Sequence, residues 1–343
     1  MIKAAIIGAT GYTGSELVRL LLKHPKVEVA MITSESQTDK RFSDIHPQFK
    51  GLCDQKLQTA NDIDKWEPDV CFLALPHRVS MEYVDKWRDK AFKIIDLSGD
   101  YRLSSAEVYR QWYDKVHHTP ELVPKVPYGL PELFRKQLKG AAIVANPGCF
   151  PTAGTLALAP LAANGLIETG SIIIDAKTGT TGAGVKSSST THFSNVNDNF
   201  KAYGLKNHRH TIEIEEVLGN MANKKLSVQF TPHILPVDRG ILVTAYARAK
   251  KIVRGNELDE IYSKFYENEP FIRMRDKPPE LKNVRGTNLC DIFVTYDART
   301  KNVLVVSAID NLVKGAAGLA VQNMNILFEF EETSGLRIVP LQP

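Results

Sequence analysis

Near the middle of the chain, Asn146-Pro147-Gly148-Cys149-Phe150 places one thiol where a strand should give way to a helix. Residues 141–145, AAIVA, read as a short buried strand, and Pro151 with the Ala/Leu-rich stretch after it suits the first turn of a helix. A helix N-terminus offers unpaired backbone N–H groups and the positive end of a dipole. Both favour thiolate over thiol and can hold a developing oxyanion. Cys149 is the candidate nucleophile; the plainer alternative is a small apolar residue filling the junction. His208-Arg209-His210 is the second chemical cluster. Thr211 suits the cap of a helix beginning near Ile212, with Glu213 and Glu215 in its first turns, which puts two imidazoles in the loop ahead of it. Histidine takes and returns protons near neutral pH, as thiol-based acyl transfer requires, although one of the two could be a surface residue with local hydrogen bonds. His117-His118 reads as a solvated loop. No histidine has a third ligand at a recognisable spacing, so no metal site is expected.

Gly8-Ala9-Thr10-Gly11-Tyr12-Thr13-Gly14 carries glycines at every third position between a β-like run, residues 3–7, and a helical pattern, residues 15–24. Lacking side chains, such a turn lets backbone approach a pyrophosphate whose charge meets the helix N-terminus. Gly8, Thr10, Gly11, Tyr12, Thr13 and Gly14 are candidate cofactor contacts. The next strand, residues 27–32, ends in Thr33-Ser34-Glu35-Ser36, with Lys40 and Arg41 nearby. Hydroxyls and cations suit a 2′-phosphate, so Ser34 and Lys40 point to NADP(H), while Glu35 argues for the ribose hydroxyls of NAD. A second glycine-rich turn, Asp175 through Gly184, follows the strand at 171–174. It makes Gly182 and Gly184 candidates for phosphate or nicotinamide contact, a plain loop being the alternative.

At 343 residues the chain exceeds what one core supports, so two domains are expected. The β–glycine turn–helix–β start, with further buried strands at 70–75 and 94–97, predicts an α/β, Rossmann-like doubly wound first domain. After Cys149 longer alternating runs, such as 241–247 and 303–307, predict a C-terminal α+β domain. The helical tail from 315 is expected to pack back on the first domain. The boundaries read are 1–148 plus 315–343 for NADP binding, and 149–314 for catalysis, substrate and oligomerisation. Residues 186–199 read as a polar loop. A net charge of +4, scattered along the chain, gives no reason to expect nucleic acid. No apolar run is long enough to span a bilayer, and Met1 runs straight into a strand without a leader, so a cytoplasmic protein is expected. Cys53, Cys71, Cys149 and Cys290 lie far apart with no C-x-x-C pair, and Cys71 sits inside an apolar strand.

With GATGYTG, NPGCFPT, DAKTGTTGAG and HRHTIEIEE in place, the chain resembles the N-acetyl-γ-glutamyl-phosphate reductases, the arginine-pathway members of the aspartate-semialdehyde dehydrogenase-like reductases. LPHRVSME, IIDLSGDYRL, YGLPEL, FTPHILPVDRGI, YENEPFIRM, VRGTNLCDI and DNLVKGAAGLAVQNMN follow in the same order, so the likeness spans essentially the full length. It implies NADPH-dependent reduction of a small acyl phosphate to a semialdehyde through a Cys149 thioester. A histidine of the His208/His210 pair would serve as acid and base, and the enzyme would be a homo-oligomer, dimer or tetramer. It further implies Arg102 for the substrate phosphate, Asn146 beside the substrate and Asn311 at the nicotinamide end. Reductases of the N-acetyl-aminoadipyl phosphate of lysine synthesis, one methylene longer, and a catalytically silent NADP-binding sensor are the alternatives. Three positions depart from the pattern: Arg78 and Asp39 stand where glycine is usual, and Ile212 where proline is usual.

Overall fold

A computed structural model describes residues 1–186 and 188–342; Ser187, in the predicted polar loop, and Pro343, the end of the predicted tail, lie outside the described residues. The chain divides into two compact units, Met1–Pro147 with Ala316–Arg337, and Gly148–Gly315 with Ile338–Pro343.

The first unit opens with β1 (Ile2–Ile7), α1 (Tyr12–Leu21), β2 (Val27–Ile32) and a short α2 (Phe42–Ile45). It continues through β3 (Val70–Leu73), α3 (Ser80–Trp87), β4 (Lys93–Asp96), α4 (Ala106–Tyr113), α5 (Pro131–Leu138) and β5 (Ile143–Ala145). Its five strands are all parallel in the order β2-β1-β3-β4-β5. Strands buried on both faces need no alternation, which is why they read as continuous apolar runs. In this order the direction of winding reverses between β1 and β3, and ligands of open parallel sheets bind beyond the strand ends at such a point.

The second unit begins with α6 (Cys149–Ala163), β6 (Ile172–Thr178), α7 (Phe193–Val196), β7 (Lys201–Ala202) and α8 (His210–Ala222). Then come β8 (Val228–Ile234), β9 (Ile241–Arg248), α9 (Glu257–Phe265), β10 (Ile272–Met274), β11 (Cys290–Asp297) and β12 (Asn302–Ile309). They form a mixed sheet, β10-β11-β12-β9-β6-β8-β7, with α6, α8 and α9 against one face. The alternation read from residues 241–247 and 303–307 is the buried and half-buried faces of β9 and β12.

The chain then returns to the first unit as α10 (Gly318–Leu327), every residue of which is buried, packing on α1, α5 and β4. A helix buried all round must pair its polar side chains. Asn323 donates to the Gly129 carbonyl at 2.9 Å, and Asn325 donates to the Glu332 and Ser334 carbonyls at 3.0 Å each. The tail departs from the predicted boundary at its very end. Beyond Arg337 it groups with the second unit, where the Leu341 N–H donates to the Arg285 carbonyl at 3.0 Å and its side chain covers Gly286.

One internal helix problem has a visible solution. Pro160 lies inside α6 and has no N–H, so the Leu156 carbonyl four residues earlier loses its helical donor. The Tyr266 hydroxyl, just past α9, donates to that carbonyl at 2.6 Å, and Tyr262 donates to the neighbouring Ala157 carbonyl at 2.6 Å. Tyr266→Phe is expected to lower stability by about 1–3 kcal/mol, the cost of an orphaned buried carbonyl, measured by urea unfolding.

Candidate active site

The glycine turn lies at the reversal point of the first unit's sheet. A Cβ on Gly8 would stand 2.5 Å from the Ala74 carbonyl oxygen beyond β3, and one on Gly14 would stand 2.3 Å from the Gly8 oxygen. Both contacts exclude a side chain, and Gly8 also has φ +87°. Gly14 therefore belongs inside α1, which starts at Tyr12, earlier than the apolar spacing implies. Gly11 is the N-cap, and no side chain caps the helix. The Thr33 hydroxyl accepts the Gly8 N–H at 3.2 Å, and the Thr10 and Ser34 hydroxyls meet at 3.2 Å, tying the turn to the end of β2. Among the described residues Lys40 makes no ion pair. An uncapped helix N-terminus, glycines at the points of closest approach, and a hydroxyl and ammonium beyond β2 fit a dinucleotide carrying a 2′-phosphate.

The departures at 39 and 78 become intelligible here: Asp39 has φ +68° and Arg78 φ +74°, in the left-handed region that favours glycine. Bonds secure Arg78 there. Its N–H donates to Asp100 Oδ1 at 2.8 Å, and its guanidinium donates to the Tyr113 carbonyl. Buried Asp100 also accepts the Met81 N–H at 3.1 Å, so it caps α3 from a distant loop, and its Oδ1 accepts the Tyr109 hydroxyl at 2.9 Å. His117 is part of this packing, correcting the solvated-loop reading. It is buried, with Nε2 at 2.9 Å from the Asp100 carbonyl, while His118 is exposed.

Arg102 and Asn146 both make bonds within the first unit. Arg102 Nε donates to the Asn146 carbonyl at 2.7 Å, and its Nη2 donates to the Leu97 carbonyl at 2.7 Å. Asn146 is fully buried; its amide nitrogen donates to Ala316 at 3.1 Å and its oxygen accepts from Asn323 at 3.0 Å. These two bonds tie the strand end to Ala316, just ahead of α10, and to Asn323 on it. The described bonds of Arg102 brace the ends of β4 and β5.

In the second unit Cys149 is the first residue of α6, after an N-cap Gly148 that has no side-chain cap of its own. It is partly exposed, whereas Cys53, Cys71 and Cys290 are buried. Burial pushes the Cys53 and Cys71 thiols up, so neither competes as a nucleophile. The Gly148 N–H donates to Glu213 Oε1 at 2.8 Å. Glu213 is a buried carboxylate on α8 that the sequence reading placed only as a first-turn acid; its spacing with Ile214, Val217 and Leu218, all on the buried face, was the available signal. From the other side, the wide turn Val313–Ala317 brings Gly315 so close that a Cβ there would stand 2.8 Å from the Cys149 Cβ.

His210 is not in the loop but is the first residue of α8, with Arg209 as N-cap, because the His208 carbonyl already accepts the Thr211 N–H at 3.0 Å. Thr211 is therefore inside the helix and does not cap it. His208 packs among the rings of Phe150, Tyr203 and Phe230 at 5.7, 5.6 and 5.4 Å, and lies 4.9 Å from His210. Its Nδ1 accepts the His210 N–H at 3.2 Å, which leaves the proton on Nε2. Burial, then the charge of Arg209, pushes His208 down to about 4. Tyr203 lies within the field of Cys149, and burial with that neighbouring charge pushes its phenol up.

Asn311 makes its described bonds within the second unit. Its oxygen accepts the Gly240 N–H at 2.7 Å, and its nitrogen donates to the Thr181 hydroxyl at 3.0 Å. It thereby pins the second glycine-rich turn, where a Cβ on Gly182 would lie 3.8 Å from the Asn311 nitrogen and Gly184, at φ +81°, has open space.

Residues 3–141 match the family model described as semialdehyde dehydrogenase, NAD binding domain, and residues 149–311 that described as its dimerisation domain. A protein of Desulforudis audaxviator named N-acetyl-γ-glutamyl-phosphate reductase is 48% identical over 348 residues, covering 100% of both chains. One of the same name from Caldicellulosiruptor saccharolyticus is 51% identical, covering 99% of each. The chain belongs to the N-acetyl-γ-glutamyl-phosphate reductase family. Solved structures agree in fold. Aspartate semialdehyde dehydrogenase II of Vibrio cholerae superposes with a TM-score of 0.72 at 18% identity, covering 96% of this chain and 99% of that one. The Candida albicans aspartate semialdehyde dehydrogenase with NADP gives 0.70 at 16%, covering 95% and 98%.

For this member of the reductase family, brief iodoacetamide treatment at neutral pH should label Cys149 alone by peptide mapping. Gly315→Ala should slow that labelling at least about tenfold, by forcing the helix start aside. His208 predicts a second outcome. Between pH 6.5 and about 4 the unfolded chain binds its proton and the folded chain does not, so this contribution to stability is lost as pH falls through that window. Asp96, raised to about 6 by burial and then by Asp100, acts in the opposite sense over much of the same range. The check is therefore a difference: melting temperature of His208→Gln minus wild type should rise from pH 7 to 4.5.

Proposed function

We propose that the chain reduces N-acetyl-γ-glutamyl phosphate to N-acetyl-glutamate semialdehyde and phosphate, reversibly, with NADP(H), in arginine synthesis. The observation that carries the chemistry is the single partly exposed cysteine, placed at the uncapped start of a buried helix. Cys149 Sγ attacks the acyl carbon. The C–O bond to phosphate breaks, a thioester forms, and the thiol's proton leaves with the phosphate through a histidine. Of the pair, His210 is the proposed acid and base. His208 has Nδ1 committed to the His210 N–H and resists protonation, so it acts as the packed support that sets the neighbouring ring. NADPH, when bound, supplies the hydride that reduces the thioester. The tetrahedral alkoxide left on Cys149 then collapses: the C=O bond re-forms, the C–S bond breaks to release the aldehyde, and His210 gives a proton to the departing sulfur, restoring the thiol. Gly8, Thr10, Gly11, Tyr12, Thr13, Gly14, Ser34 and Lys40 would hold the dinucleotide.

The reading extends to a cytoplasmic homo-oligomer built through the second unit. No helix among the described residues is long and apolar enough to cross a membrane. The face of the second unit's sheet opposite α6 is half-open, and Ile173, Tyr246, Phe293, Leu304 and Val306 line it in register. An apolar sheet face of this kind suits a second copy.

Cys149→Ala should abolish phosphate-dependent oxidation of the semialdehyde while leaving NADPH affinity within about twofold, followed by cofactor fluorescence. Turnover that survives would remove Cys149 as nucleophile. His210→Asn should cost about 10²–10⁴ in kcat, and His208→Asn distinctly less. Assaying the acyl phosphate one methylene longer should show a kcat/KM lower by about 10-fold or more, and equal values would overturn the narrower substrate.

A further inference from the structure

Glu35 is the first residue past Ser34 at the carboxyl end of β2, the place from which an acidic side chain bonds ribose hydroxyls and repels a 2′-phosphate. The structure shows this carboxylate engaged from another element. Tyr83, on α3, donates its hydroxyl to Glu35 Oε1 at 3.4 Å. The ring is half-buried and held against Trp87 at 5.0 Å, so the hydroxyl is a fixed point, whereas Glu35 is exposed and would otherwise be mobile. Burial and the Glu35 charge push the phenol up, which keeps the donated proton in place. Nothing comparable restrains the cation beside it: Lys40 makes no ion pair or side-chain hydrogen bond among the described residues, while the Ser34 hydroxyl stays tied to Thr10.

Building on the NADP(H) reading above, we propose that Tyr83 sets dinucleotide preference by drawing the Glu35 carboxylate toward α3 and leaving the ribose side of the site to Ser34 and Lys40. Tyr83 is a positioning residue that acts through Glu35. Released, the carboxylate would accept the 2′- and 3′-hydroxyls of NADH and oppose the phosphate of NADPH.

The full-length protein is titrated separately with NADPH and NADH, following cofactor fluorescence, and the ratio of the two Kd values is the readout. Tyr83→Phe should reduce the preference for NADPH about 5–10-fold, chiefly by tightening NADH. Glu35→Asp, whose shorter side chain cannot reach the hydroxyl, should shift the ratio in the same direction and stands in if Tyr83→Phe melts early. In a Glu35→Gln background the effect of Tyr83→Phe should vanish. A ratio unchanged within about twofold in both single variants, or an equal shift with and without the carboxylate, overturns the proposal. Failure of the wild-type protein to bind either dinucleotide would instead overturn the cofactor reading on which it rests, and loss of NADPH binding alone in Lys40→Ala supports that reading.

Discussion

The start of α6 is fixed by how closely three chain segments approach it. The Gly148 N–H is paired with the buried Glu213 carboxylate, Gly315 fits only because it lacks a Cβ, and Phe150 closes the aromatic setting of His208. The sulfur of Cys149 therefore sits on a rigid support, with backbone donors and a buried acid set behind it. Preorganised dipoles of this kind need no rearrangement as charge develops, which is where most of their catalytic value lies. Packing achieves this at a cost, since a buried carboxylate is tolerated only when its acceptor oxygens are used.

The first unit solves a parallel problem with backbone. A parallel sheet has its loops at the strand ends, and the reversal of winding between β1 and β3 leaves room there for a ligand. Tight glycine contacts hold the turn after β1 against the chain beyond β3. Asp100 then fixes the following helix by accepting from Arg78, Met81 and Tyr109 together. The bond from Arg78 explains how a residue other than glycine persists at that left-handed position. The strain of about 1–2 kcal/mol is offset by the bonds from the Arg78 N–H to Asp100 and from its guanidinium to the Tyr113 carbonyl.

The strands, the glycine turn, the cysteine at a helix start and the two-part organisation were legible in the sequence, because they rest on local periodicity and on residue types with few alternative uses. The helix starts at Tyr12 and His210 were misplaced by a turn or less, since helix boundaries follow backbone bonds such as that from Thr211 to His208, which leave no mark in the residue pattern. Arg102, Asn146 and Asn311 were read as ligand contacts from their motifs. Their described bonds go to the surrounding scaffold, partners that motif membership could not name because they come from distant parts of the chain.

By itself, then, the sequence determined the alternation of elements, the chemical inventory and the family, because covalent order and hydrophobic period are local properties. Only the tertiary structure decided which groups are used together: Glu213 behind Gly148, Gly315 against Cys149, His208 packed with its Nδ1 committed, Tyr83 on Glu35. Those pairings join residues up to 166 positions apart, Cys149 and Gly315 being the farthest. They exist because burial forces each polar group to find a partner within reach, wherever in the chain that partner lies.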